Sequence, residues 1–148
     1  MNRTTEYLGN IRRIIKLHES MLKEYVCQEY AMTLTEAAVI SFLYNNPGKD
    51  TAVDIVELRM LQKSNVSQAV ESLVKKSLLV RKQDAGDRRK IHLSLTEKAE
   101  PVVETVEKVC REFHEEVFCG ISPEKLDTFS EVNERIGENV QKAIERRG

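Results

Sequence analysis

The chain has 148 residues, 41% of them hydrophobic and 32% charged, with only 6 Gly and 3 Pro. Such a length predicts one domain or two small ones, and such a balance excludes collagen-like, low-complexity and disordered chains. The net charge of −1 hides an uneven distribution. Thr33–Thr96 holds 10 Lys and Arg against 7 Asp and Glu, whereas the two flanks together hold 13 against 17. The narrower stretch Arg59–Lys90 holds 9 against 3, a balance of +6. A basic middle between acidic ends points to an anionic partner for the middle alone.

There is no Trp, and aromatic residues make up 5%, so the core must be built from Leu, Ile, Val and Met. A chain of this size can bury a core without covalent staples. No apolar run of about 18 residues exists, so no transmembrane helix is predicted and no membrane partner is expected. Met1-Asn2-Arg3-Thr4-Thr5-Glu6-Tyr7 is polar where a secretion signal needs an apolar stretch. Cys27, Cys110 and Cys119 are odd in number and widely spread, which argues against a disulfide framework and fits reduced thiols. The chain is read as cytoplasmic.

Residues 4–30 carry Leu8, Ile11, Ile14, Ile15, Leu17, Met21, Leu22, Tyr25 and Val26, close to the helical period. Thr35 is the expected N-cap of a second helix through Tyr44, broken by Asn45-Asn46-Pro47-Gly48. Asp50 is the expected cap of a third helix through Met60, and Ser64 of a fourth. That fourth helix sets Val66, Ala69, Val70, Leu73 and Val74 on one stripe. The short spacing of the third and fourth suggests a helix-turn-helix. Leu78–Lys82 and Lys90–Leu95 read as strands joined by the polar tip Gln83–Arg89. Helix-turn-helix plus hairpin is the layout of a winged helix. Thr96 is the expected cap of a long helix over 97–118, ended at Cys119-Gly120-Ile121. Ser122-Pro123 opens a last helix to about Glu145, with Leu126, Phe129, Val132, Ile136, Val140 and Ile144 as its stripe. The fold class is therefore mainly α with a small β-hairpin. Residues 33–96 form the winged lobe. Residues 4–30 and 97–147 form long amphipathic helices, expected to bury their stripes against a second copy.

Several segments, taken in order, are similar to the MarR family of bacterial transcriptional regulators. They are Leu34-Thr35 with Val39-Ile40-Ser41-Phe42-Leu43; Lys63 through Leu73; Leu78-Leu79-Val80-Arg81; Asp84-Ala85-Gly86-Asp87-Arg88-Arg89; and Leu93-Ser94-Leu95-Thr96-Glu97. The likeness spans essentially the whole chain. Its specific part is the Asp-Arg-Arg wing followed at the right distance by Leu-Ser-Leu-Thr. Two departures are visible: Ser77 and Ala99 stand where the family usually has Gly. The resemblance implies a homodimer that binds double-stranded DNA at a pseudo-palindrome and most often represses. It also implies a small-molecule effector held between the DNA lobe and the dimer helices, lined by apolar residues of the first, second and fifth helices. No motif names that effector.

A recognition helix needs short polar or long amide side chains in its first turns, where they reach base edges in the major groove. Lys63, Ser64, Asn65, Ser67 and Gln68 meet that need, and Ser72 stands one turn on. Gln68 or Asn65 suits an adenine edge; Lys63 suits a phosphate or guanine. Taken alone, these residues are also what any solvated helix face shows. At the tip, Arg88 and Arg89 stand beside Asp84 and Asp87. A guanidinium there is drawn to the negative potential of the minor groove, and Asp84 or Asp87 can brace it. Which arginine inserts is left open.

No phosphate-binding loop, Gly-x-Ser-x-Gly or His-Glu-x-x-His is present, so no enzyme is expected, and no cofactor. Cys110 and His114 lie one helical turn apart, but two ligands do not make a metal site. The resemblance brings in oxidant sensing through a first-helix cysteine. Cys27 is followed by Gln28 and Glu29 rather than by basic residues, and is expected to be a small buried hydrophobe. The competing readings are a winged-helix protein–protein adaptor without a DNA role, and a redox- or metal-sensing regulator of the same fold.

Overall fold

A computed structural model describes all residues, 1–148. They form two compact units, Met1–Phe113 and His114–Gly148. No helix is long and apolar enough to cross a membrane.

In the first unit, α1 (Arg3–Leu22) starts at Asn2, whose side chain accepts from the Thr5 amide at 2.8 Å. It continues through a π-helical turn, Lys23–Cys27, and a last turn, Gln28–Tyr30, until Ala31 turns left-handed at φ 53°. The expected helix over 4–30 is thus present, with a widened turn inside it. Only its C-terminal part reaches the core, through Met21, Leu22 and Val26; Leu8, Ile15 and Leu17 stand exposed.

The centre of the unit is α2 (Leu34–Asn45), buried from Glu36 to Phe42. A helix apolar on all sides has nowhere to lie but inside. Around it pack α3 (Ala52–Arg59), α4 (Lys63–Lys75) and the antiparallel pair β1 (Leu79–Gln83) and β2 (Ile91–Leu95). The strands pair Leu79 with Leu95 and Gln83 with Ile91, within a residue or so of the expected bounds. On the other side of β2, the Leu93 amide donates to the Asp50 carbonyl at 2.8 Å. The start of α5 (Glu100–Val117) adds Val102, Val106 and Val109 to the same core. That core is Leu, Ile, Val, Ala and Met around Phe42, as the composition requires.

The helix starts correct three expected caps and keep a fourth, Thr96, by position alone. The cap of α2 is Thr33, not Thr35, and that of α3 is Thr51, not Asp50. In both, an acid three residues on reciprocates: Glu36 with the Thr33 amide and Asp54 with the Thr51 amide. That two-way bond satisfies two orphan donors and outcompetes a lone hydroxyl or carboxylate. Ser64 lies inside α4, whose cap Gln62 makes no side-chain bond. Thr96 does precede a helical turn, the 3₁₀ turn Glu97–Ala99, but does not cap it with its side chain. Its hydroxyl donates to the Ser77 carbonyl at 2.6 Å instead.

The end of α4 explains one departure from the family pattern. The Leu78 amide reaches back to the Leu73 carbonyl at 2.9 Å and the Ser77 amide to Val74 at 3.0 Å. This is a Schellman ending, which needs a left-handed residue, and Ser77 supplies it at φ 64°. A side chain in that conformation costs about 1–2 kcal/mol. Ser77→Gly is therefore expected to raise stability by about 1 kcal/mol or less, since glycine loses more entropy on folding. A urea midpoint at or below that of the parent would refute this. Ala99, the other departure, is not left-handed; its methyl is fully buried in the core.

In the second unit, α6 (Pro123–Arg147) begins at Ser122, which accepts from the Lys125 amide at 3.3 Å, with Pro123 in the first turn. Gly120, at φ 78°, makes the preceding turn. Phe118 stacks at a tilt between His114 and Phe129, at 4.8 and 6.0 Å. No residue of α6 is buried. Phe129, Val132, Val140 and Ile144 each show about half their surface.

Candidate nucleic-acid interface

The two faces of α4 are cleanly divided. Val66, Ala69, Val70 and Leu73 are buried, while Lys63, Ser64, Asn65, Ser67 and Gln68 are exposed. The core fixes the helix, so the five polar side chains are carried on a rigid rod. Asn65 reaches only Gln62, at 3.3 Å across the surface. A shallow cleft of about 330 Å³ runs between this face and the start of α2, lined by Thr33, Thr35, Asn65 and Gln68 among others.

Ser72 takes a different place. It is half-buried, and its hydroxyl donates to Glu36 Oε2 at 3.3 Å. The same carboxylate oxygen takes the Lys76 ammonium at 2.8 Å. Glu36 is 4% exposed and so needs these partners. Burial would push its carboxyl up, but Lys76 and the Thr33 amide outweigh that and hold it below the ordinary carboxylate range. The pair ties the first turn of α2 to the last turn of α4.

The wing tip is a folded turn rather than a continuation of β2. Arg88 and Arg89 both precede the strand. Asp84 Oδ2 accepts from the Gly86 and Asp87 amides at 3.0 and 2.9 Å. Gln83 donates to the Arg88 carbonyl at 2.9 Å. Asp87 accepts from the Arg89 amide at 2.9 Å and faces its guanidinium at 3.6 Å. Asp84 braces the backbone and no arginine. The Arg88 guanidinium has no partner within the chain. Farther down, Arg81 pairs with Glu71 of α4 at 2.8 Å, joining β1 to the helix.

Asp84 also meets His92, and that bond, with the two turn amides, pushes its carboxyl down to about 2. Asp50 lies on the other side of the same ring. Nothing in the sequence singles out His92, and Asp50 is expected from it only as a helix cap. Separation by 42 residues leaves no local signal for such a pair.

Cys27 is half-buried, and burial, with Glu36 nearby, pushes its thiol up. That is the setting of a packing residue rather than of a reactive thiolate. The Cys110 thiol sits against the Asn45 amide at 3.2 Å.

A buried core that presents one polar helix face beside a cationic hairpin defines a winged helix-turn-helix protein. Residues 32–90 match the model of the MarR family. That segment belongs to the family, and the chain around it has the fold of the family's solved members. It resembles NMB1585, a MarR family regulator from Neisseria meningitidis, at 23% identity over 100% of both chains, with a TM-score of 0.75. It also resembles a MarR family regulator from Silicibacter pomeroyi at 21% identity, over 92% of this chain and 89% of that one, with a TM-score of 0.76. A third likeness is to BpsR of Bordetella bronchiseptica, at 20% identity over 89% and 98%, with a TM-score of 0.66.

Proposed function

We propose that the protein is a sequence-specific DNA-binding transcriptional regulator: a ligand-responsive repressor that binds a pseudo-palindromic operator as a homodimer. The observation that carries this is the joint exposure of the Lys63–Gln68 face and the unpartnered Arg88. In this reading α4 enters the major groove. Lys63, Ser64, Asn65, Ser67 and Gln68 meet base edges and nearby phosphates there. Arg88 enters the minor groove and Arg89, held by Asp87, braces the tip. Ser72 serves the lobe from within. The half-exposed stripes of α1 and α6 support dimerisation, because apolar faces of that length need a cover. A small-molecule effector is supported by BpsR, whose DNA binding is regulated by 6-hydroxynicotinic acid.

The test is a set of binding isotherms at several salt concentrations, using duplexes from the DNA flanking the protein's own gene. Two chains per site are expected. Gln68→Ala should cost about 1–3 kcal/mol at the preferred site and blur preference there. Arg88→Ala should lower the salt slope by about one, whereas Arg89→Ala should be mimicked by Asp87→Ala. If the arginine variants leave affinity and slope unchanged, the wing does not touch DNA and the adaptor reading takes its place.

A further inference from the structure

His92 has both ring nitrogens engaged. Nδ1 lies 2.7 Å from Asp50 Oδ1, and Nε2 lies 2.7 Å from Asp84 Oδ1. Asp50 belongs to the loop ahead of α3, Asp84 opens the wing tip, and His92 stands in β2. A carboxylate offers no proton, so both bonds must be donated by the ring, which then carries two N–H groups and a positive charge. A neutral ring has one N–H and turns a lone pair toward one of the two carboxylates.

We propose that the His92 imidazolium is a positioning residue for DNA binding, holding the wing on the helix-turn-helix body by joining Asp84 to Asp50, so that affinity falls as the ring loses its proton. The proposal rests on the DNA-binding reading above. Its reach to the tip is direct. The carboxylate on Nε2 is the one that gathers the Gly86 and Asp87 amides, and Asp87 in turn faces Arg89.

The charged groups around the ring set the direction. The two carboxylates raise its proton affinity, and partial burial lowers it by less. Across the strand pair, the register partner of His92 is Lys82, a cation on the same face that works against the charged ring. On α3, Asp54 is committed to the Thr51 cap. The one acid of α2, Glu36, is committed to Lys76. The net shift is upward, so the clamp is complete below the ordinary value of 6.5 and is lost as pH rises through the higher folded value. The two ends do not fail together. Asp84 keeps its backbone bonds, whereas the Asp50 carboxylate has no other partner than the ring. Deprotonation therefore frees the body side first; the tip turn stays folded, but its Gly86 and Asp87 amides, bound to the carboxylate on Nε2, sense the changed charge beside it.

Two measurements on the full-length protein test this. In the free protein, NMR follows the His92 ring and the Gly86, Asp87 and Leu93 amides from about pH 6 to 9. A duplex from the DNA flanking the gene is titrated over the same range at fixed salt. The three amides should step together with the ring, above its ordinary value, and wild-type affinity should fall several-fold across that step. Asp50→Asn decides the mechanism. An amide accepts from the charged ring and donates to the neutral one, so both bonds survive in either state. This variant should bind at least as well as the wild type on the acid side and lose the step, while His92→Phe should bind weakly throughout. Removing the Asp50 charge raises affinity equally at every pH and cannot imitate a lost step. Amides that stay flat through the ring titration would overturn the proposal, as would an unchanged step in Asp50→Asn. If the wild type binds no duplex at any pH, the DNA-binding reading fails, and the amide titration still decides whether the clamp exists.

Discussion

Leu73→Ala is expected to lower stability by about 3–5 kcal/mol, the upper part of the range for a buried leucine. Its side chain is fully buried in α4. Its carbonyl accepts the Leu78 amide that closes the Schellman ending, and Leu78 is itself buried. Truncation leaves a cavity under α4 and removes the apolar contact that accompanies such an ending. Alanine is a slightly better helix former than leucine, a gain of only about 0.2 kcal/mol. Packing therefore decides the sign. Val80→Ala is the control: half of Val80 is exposed on the hairpin, and about 0.5 kcal/mol or less is expected. Urea unfolding of both variants reads the difference. A Leu73→Ala loss no larger than that of Val80→Ala would mean that the core relaxes around the gap.

Lys76→Ala is expected to cost about 2 kcal/mol at neutral pH, because it leaves the Glu36 carboxylate buried with less than its needed partners. The figure is kept low because the Lys76 side chain is 39% exposed and water screens it. The pH dependence identifies the cause. Glu36 titrates below its ordinary value in the folded protein, so its contribution is present above that value and lost as pH falls through the folded one. Without Lys76, burial is opposed only by the cap at Thr33 and by Ser72, and the carboxyl moves up. Acidification then protonates Glu36 early in the variant and removes the penalty. The gap between parent and variant should be widest near pH 7 and narrow toward pH 4. A gap that is the same at both would assign the loss to the packing of the lysine stem, not to charge.

The fold was legible wherever a pattern is local. The stripe of α4, the burial of α2, the hairpin and the Ser122-Pro123 start all follow from periodicity or capping chemistry within a few residues. The misplaced caps were legible too: Thr33 and Thr51 are each followed three residues later by an acid, the capping-box signature. Thr35 and Asp50 each lack such a partner three residues on. The Lys76–Glu36, Arg81–Glu71 and Asp50–His92–Asp84 contacts were not legible. They depend on how elements 8 to 42 residues apart come to rest, and one charged residue in a helix or strand looks the same with or without a distant partner. The exposed face of α4 was legible only as a polar helix side. What sets it apart from any other is the exposed wing beside it.

The bond from the Leu93 amide to the Asp50 carbonyl also bears on how copies of this protein behave when crowded. A two-stranded hairpin ordinarily offers a bare edge to any extended peptide nearby. Here the register turns the Leu93 amide away from β1, and the loop ahead of α3 already occupies it. A foreign strand would have to displace that loop before it could zip along β2. When copies of the protein crowd together, sheet extension along this edge of β2 is thereby opposed.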